Sequence, residues 1–462
     1  MLHALAFAAA TATSPTILRS ANAVTAPRFV RLRLDVTAYG VAGRGEIVVD
    51  RATGRFVRRF DAGPVSEREG WDGVRPWRAD ATGMARPQGN ADERASIAEW
   101  SRLLAPGDGS AAHEHPVQAP EVTVNAAGEV TSVVQHVGHQ TERIAFTDYR
   151  RADGIVAPFA IEDSSENGTW SARVRSVETP ASVAATAFAL PPEPQDATLS
   201  GVEKIAFLRG DLPVIPVSID GGPTLRMVLD TGGQNAITPE AARRSGLALV
   251  GEGSVGGAGA GLAKVRFAAA RSVRIGHAEM RDQPFVVIDL GANAAVDGIV
   301  GYELLARFAA RIDLQRGRLE LSRSARALKP TGVPVPMTFD DRQPQVEGAL
   351  DGIAGVMTID TGSASSVDVN APFVLAHDLR TLYHAEMGGF PISGIGGAVH
   401  AYYARAKELR LGTLQIPDVN LLLTDAKAGF EANPAVAANI GGQVLRRFVL
   451  LVDYRNATIW FG

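Results

Sequence analysis

Cysteine is absent from all 462 residues, which excludes disulfides, thiol nucleophiles and thiolate-ligated metals. Long apolar runs are absent too. None approaches the roughly 18 residues that a spanning helix needs, so no mature transmembrane span is expected. Charge of one sign is also lacking: 46 Lys and Arg face 50 Asp and Glu, for a formal net charge of −4. Such a balance gives no basic field for nucleic acid or an anionic membrane, and neither partner is expected. The glycine-rich run Gly256 to Gly261 lacks the Lys-Ser/Thr pair of a phosphate cradle. His113-Glu114-His115 puts two histidines at i, i+2 in a loop without a third ligand, and reads as solvated chain. No metal and no other cofactor is expected.

What is present is a chain of ordinary globular composition, 46% hydrophobic and 21% charged, long enough for two or three domains. Its dominant pattern is short strands, giving a mostly β fold class. Residues 1–27 open with Ala4-Leu5-Ala6-Phe7-Ala8-Ala9-Ala10, an apolar stretch without a basic start. They read as a signal or leader and point to a periplasmic or secreted protein, with a cytoplasmic one left open. Residues 28–191 alternate apolar and polar, as in Phe29 to Val36, Val130 to His136 and Trp170 to Val177, and form a β-rich domain of half-buried antiparallel strands. Ala91 to Leu104 carries the only clear helical spacing there. The Pro-rich stretch from Leu190 opens a linker over 192–211.

The most informative feature is a repetition. Asp230-Thr231-Gly232 returns as Asp360-Thr361-Gly362, each triplet preceded by a short, mostly apolar run, Leu225 to Leu229 and Gly355 to Ile359. Each aspartate therefore stands at the end of a buried strand, with a glycine two residues on for a tight turn. Further along, Val300-Gly301 through Phe308 and Asp313 align without gaps to Ile440-Gly441 through Phe448 and Asp453. Between triplet and signature each half has a glycine-rich segment, with Gly256, Gly257 and Gly259 in the first and Gly394, Gly396 and Gly397 in the second. The chain thus contains an internal duplication and two related lobes, residues 212–328 and 329–462. Thr238-Pro239-Glu240 reads as a helix start, and Asn370-Ala371-Pro372 as its counterpart.

From about Leu212 to Gly462 these residues resemble the aspartic protease superfamily, retropepsin-like and pepsin-like, in its bacterial branch with two Asp-Thr-Gly copies per chain. The resemblance implies a bilobal acid-protease β-barrel domain with pseudo-twofold symmetry behind the N-terminal curved antiparallel sheet. It implies Asp230 and Asp360 as the catalytic pair. Thr231 and Thr361 would brace the two loops, and Val300-Gly301 and Ile440-Gly441 would floor them. The glycine-rich segments would be flaps over a bound peptide. The family carries Ser, Thr or Ala after the triplet; Ser363 fits and Gly233 departs, leaving no hydroxyl to orient Asp230. Residues 28–191 resemble the LolA/LolB-like lipoprotein-carrier fold through Trp71-Asp72-Gly73 and the turn from Tyr149 to Gly154.

Two neighbouring carboxylates cannot both ionise easily, so they share a proton and can work as acid and base on one water. The expected activity is that of an aspartic endopeptidase acting on a peptide or protein substrate. Its pair lies within one chain, so a monomer suffices. The alternatives are a catalytically weak peptide-binding protein of the same fold, and an envelope lipid or lipoprotein carrier working through the N-terminal domain. Asp297, Asp313 and Asp453 are assigned no chemistry.

Overall fold

Alternation decides the first strand: in Phe29–Ala38, Val30, Leu32, Leu34 and Val36 are buried while Arg33, Asp35 and Thr37 face solvent. Ten such strands follow in an antiparallel path. In the computed structural model the sheet runs, edge to edge, through Ala85–Pro87, Pro76–Ala79, Glu67–Trp71, Arg55–Asp61, Val41–Asp50, Phe29–Ala38, Gly168–Glu178, Ile155–Ser165, Gln140–Ala152, Val130–Val137 and Glu121–Val124. The structure describes residues 15–21, 26–89, 91–105, 119–137, 140–208, 210–257, 259, 261–291, 295–340, 342–385 and 389–462. His113-Glu114-His115, most of the proposed leader, Ala258 and Ala260 lie outside them.

The helix Ala91–Leu104 packs Ile97, Trp100, Leu103 and Leu104 onto the sheet, with the Trp100 ring edge-on to Phe146 at 6.2 Å. Arg58 lies between Trp100 and Trp170, 5.0 and 5.2 Å from their ring centres. The tail end of the leader assignment needs correction. Arg19–Ser20 pairs with Ile155 and Val156, and Ile17 and Leu18 are buried in the sheet's core, because these apolar side chains find a face to cover. The linker also shrinks. Ala197–Thr198 pairs with Ala278–Ile288, and Val202–Ala206 with Arg318–Ser322, so residues assigned as connection are strands.

Each lobe repeats one plan. The strand before the triplet, Thr224–Leu229, runs parallel to Gly298–Val300, which also pairs antiparallel with Ala236–Ile237. In the second lobe Ile353–Ile359 lies parallel to Ala438–Ile440, which pairs with Val367–Val369. Thr238 caps the helix Pro239–Arg244, its hydroxyl accepting from the Ala241 N–H at 3.2 Å. Asn370-Ala371-Pro372 likewise opens a helix, Ala371–Ala376, but the Asn370 side chain does not cap it: its amide donates to the Phe430 and Asn433 carbonyls at 3.1 and 3.3 Å. The closing hairpins meet in a six-stranded sheet, three strands from each half, joined where Ala309–Asp313 pairs antiparallel with Val449–Asp453. One apolar core runs through both lobes and includes Met84 of the N-terminal segment.

Candidate active site

Both triplets emerge from strand ends held by the neighbouring floor strand. The Asp230 N–H donates to the Val300 carbonyl and the Asp360 N–H to the Ile440 carbonyl, each at 3.0 Å. This places the two aliphatic-Gly pairs directly under the loops. Gly301 is required by contact: a Cβ there would lie 2.1 Å from the Gly233 carbonyl oxygen and 2.6 Å from that of Asp230.

The two threonines are buried and cross-linked. Thr231 N–H donates to Thr361 Oγ1 at 3.1 Å, and Thr361 N–H to Thr231 Oγ1 at 3.0 Å. Each hydroxyl then donates across the interface, Thr231 to the Ile359 carbonyl at 2.6 Å and Thr361 to the Leu229 carbonyl at 2.8 Å. Each oxygen thus uses both its donor and its acceptor capacity. Four reciprocal bonds fix the separation of the two loops.

Each carboxyl lies against the glycine of the opposite triplet: a Cβ on Gly362 would sit 2.4 Å from Asp230 Cγ, and one on Gly232 3.0 Å from Asp360 Cγ. Burial, then the neighbouring Asp360 carboxyl, push the Asp230 carboxyl well above the usual carboxylate range. Gly232 N–H donates to Asp230 Oδ1 at 2.8 Å. Asp360 is better supplied: Oδ1 accepts from the Gly362 and Ser363 N–H groups at 2.8 and 3.0 Å, and Oδ2 from Asn439 Nδ2 at 2.8 Å. The pair is therefore chemically unequal. Asp230, raised as it is, suits the protonated role.

Gly233 and Ser363 do not act as the hydroxyl argument suggests. A Cβ at Gly233 would sit 2.6 Å from Asp230 Oδ2, so glycine lets the loop close against the carboxyl. Ser363 serves Asp360 through its backbone. Its hydroxyl instead contacts Ser365 Oγ at 2.8 Å, and Ser365 donates to Asp368 Oδ2 at 2.6 Å. Burial pushes Asp368 up to about 6 and the nearby Glu431 up to about 8.

The glycine-rich segments are hairpin tips, between Val250–Gly256 and Leu262–Ile275 and between Phe390–Gly394 and Gly397–Leu411. They meet each other: Gly259 N–H donates to the Ile395 carbonyl and Gly261 N–H to that of Gly396, both at 2.8 Å. Gly257 accepts from the Phe430 N–H at 3.0 Å. The first hairpin is also tethered outward. Glu252 and Ser254 donate their N–H groups to the carbonyls of Tyr39 and Asn167 in the N-terminal sheet, each at 2.8 Å.

Residues 215–304 match the family model described as aspartyl protease. The matched span holds the first triplet, the first glycine-rich hairpin and Val300-Gly301, and it supports an aspartic protease family. Among solved structures, a retropepsin-like aspartic protease from Rickettsia conorii is similar at 24% identity, over 26% of this chain and 90% of that one, with a TM-score of 0.20. No curated protein matches. No helix among the described residues is long and apolar enough to cross a membrane, and no cluster of metal-ligating side chains occurs among them.

Several residues of this aspartyl-protease-like site stayed hidden in the sequence. Asn439 replaces Ile299 in the duplicated alignment, and Tyr454 replaces Leu314. Tyr454 is fully buried and donates its hydroxyl to the Thr231 carbonyl at 2.7 Å. A search for mismatches between the halves, rather than matches, would have found both. Asp313 and Asp453, assigned no chemistry, stand in turns and accept from the Arg316 and Asn456 N–H groups at 2.8 and 3.2 Å.

Proposed function

We propose that the chain is an aspartic endopeptidase in which Asp230 and Asp360 activate one water for attack on a peptide carbonyl. The observation that carries this reading is the two carboxyls set against each other's loops, each against the glycine of the opposite triplet, with unequal donor supply. Asp360, accepting from two backbone N–H groups and Asn439, acts as the base that takes the water proton. Asp230, held protonated, donates to the carbonyl oxygen as the tetrahedral intermediate forms. As the C–N bond breaks, Asp360 passes its proton to the leaving amine and Asp230 takes one back from the diol hydroxyl, which restores the starting pair. No covalent intermediate with the protein is needed. An extended peptide lies beneath the joined flap tips, bonded through its backbone as an added strand.

The weak-binding alternative rests on Gly233, which offers Asp230 no hydroxyl and packs against its carboxyl instead. The carrier alternative draws no support from the covered face of the N-terminal sheet, where Trp100, Leu103, Val133 and Phe146 fill the space beneath the helix. The deciding experiment is cleavage of unfolded casein at acidic to neutral pH. The expected result is cleavage blocked by a statine-type inhibitor; equal cleavage by the wild type and by Asp360→Asn would sink the proposal.

A further inference from the structure

The N-terminal sheet does more than abut the two lobes. Its edge strand, Ala85–Pro87, carries Arg86 under the triplet loops, between side chains of both halves. Arg86 Nε donates to the Tyr302 hydroxyl at 2.9 Å, and Nη1 donates to the Tyr454 carbonyl. Its guanidinium carbon lies 4.6 Å from the ring centre of Phe339, 5.3 Å from Tyr302 and 5.8 Å from Tyr454. These rings pack on one another, with centres 4.9 Å apart for Phe339 and Tyr454 and 6.1 Å for Tyr302 and Tyr454.

Two of the three rings are wired to the floor and loops of the pair. Tyr302 directly follows Gly301. Tyr454 donates its hydroxyl to the Thr231 carbonyl at 2.7 Å, inside the first triplet. Nearby anchors keep the edge strand in place: Met84 joins the core of the lobes, and Arg307 donates to Thr82 Oγ1 at 2.7 Å. A guanidinium is suited to this spot, since it stacks on aromatic faces and directs several fixed donors at once. The duplication offers no equivalent, because Gly442 stands where Tyr302 would recur and Leu314 where Tyr454 would.

We propose that Arg86 is a positioning residue of the Asp230/Asp360 pair: it locks the platform of Tyr302, Phe339 and Tyr454 beneath Thr231, making the N-terminal domain a working part of the active site. This rests on the protease reading. Arg86 touches no reacting atom and acts through Tyr454 and the Thr231 carbonyl. It also contributes a positive charge below the pair. The other titratable or charged groups that bear on this platform are Asp80, Arg342, Asp230 and Asp360.

The test compares full-length wild type, Arg86→Ala, Arg86→Lys and a control, Phe146→Leu, which loosens the N-terminal core far from the platform. Arg86→Ala is expected to lower kcat roughly 10- to 100-fold with little change in KM, the scale of a sub-ångström to ångström misplacement. Both limbs of its pH–rate profile move to higher pH, because a cation that favours the ionised pair is gone. Arg86→Lys keeps the charge but loses the fork, so its limbs return to wild-type positions while kcat stays low. Phe146→Leu lowers thermal stability and leaves kcat and both limbs in place. Unchanged kcat and limbs in Arg86→Ala overturn the proposal. If the wild type neither cleaves peptides nor binds a statine-type inhibitor, the protease reading falls, and hydrogen exchange decides the positioning claim on its own. The Thr231 and Thr361 amides should then lose protection in Arg86→Ala and keep it in Phe146→Leu, and equal protection in the two variants counts against it.

Discussion

Asn439 donates to Asp360 Oδ2 at 2.8 Å, whereas the matching position beside Asp230 is Ile299, which can donate nothing. This substitution supplies Asp360 with a side-chain donor that Asp230 lacks. Asn439→Ile would remove it. The donated bond favours the ionised carboxylate, so its loss should move the acidic limb of kcat/KM to higher pH and lower the plateau by roughly tenfold, the worth of one bond to a charged group. A pH–rate series on wild type and variant reads both effects.

The pair should also fail as a unit. Asp230→Asn and Asp360→Asn are each expected to reduce cleavage to the level of the double variant, because removing either half of a shared-proton device removes the device. Initial rates on one peptide substrate, compared across the three proteins, are sufficient. Substantial activity in either single variant would contradict a shared proton.

The threonine brace is mainly a matter of stability. Thr361→Val keeps the shape and deletes the hydroxyl that accepts from Thr231 N–H and donates to the Leu229 carbonyl. Two buried backbone groups lose partners, for an expected loss of roughly 2–4 kcal/mol. Urea unfolding of variant and wild type measures it, and a loss below about 1 kcal/mol would show that the brace is dispensable.

Flap closure can be blocked at one atom. Gly396 has φ +92, and a Cβ there would lie 2.1 Å from the Gly261 carbonyl oxygen. Gly396→Ala is therefore expected to part the tips, raising KM about tenfold without unfolding the lobes, as expected for a damaged lid. Hydrogen exchange at residues 256–261 and 394–397 should show inhibitor protection in the wild type and little in the variant.

Glu431 gives a pH signature of its own. Burial raises its carboxyl from 4.5 to about 8, so the folded state binds a proton that the unfolded state has already released in this window. Its stabilising effect is full below about 4.5 and is lost as pH rises toward about 8. Melting temperature should fall by a few degrees across that window, since in a chain of this length about 1 kcal/mol moves the midpoint by roughly one degree. Glu431→Gln should flatten the slope; an unchanged slope would mean that Glu431 does not titrate there.

The sequence exposed the parts of the site that are local and repeated. An apolar run, an aspartate and a glycine announce a strand ending in a turn wherever they occur, and a second copy makes the pattern specific. The hairpins at Ala309–Asp313 and Val449–Asp453 and the helix Ala91–Leu104 were legible for the same reason. What escaped reading depends on distant contacts. Arg86 lies more than two hundred residues from Tyr302, and nothing in its neighbourhood marks it among the other arginines. Ser363 looked like a carboxylate partner because its residue type fits, yet its rotamer turns the hydroxyl toward Ser365. Ile17 and Leu18 looked like leader, since two apolar residues carry no sign of the sheet they will cover.

The six-stranded sheet in which the two halves meet has a kinetic meaning. A carboxyl pair split between two separate chains exists only while those chains stay associated, so its concentration falls on dilution. Here the partner half is covalently attached and pairs strand to strand through Ala310 to Asp313 and Val449 to Val452. The local concentration of each half about the other is set by the chain itself, not by the amount of protein present. Output per molecule is then the same in a sparse compartment as in a crowded one.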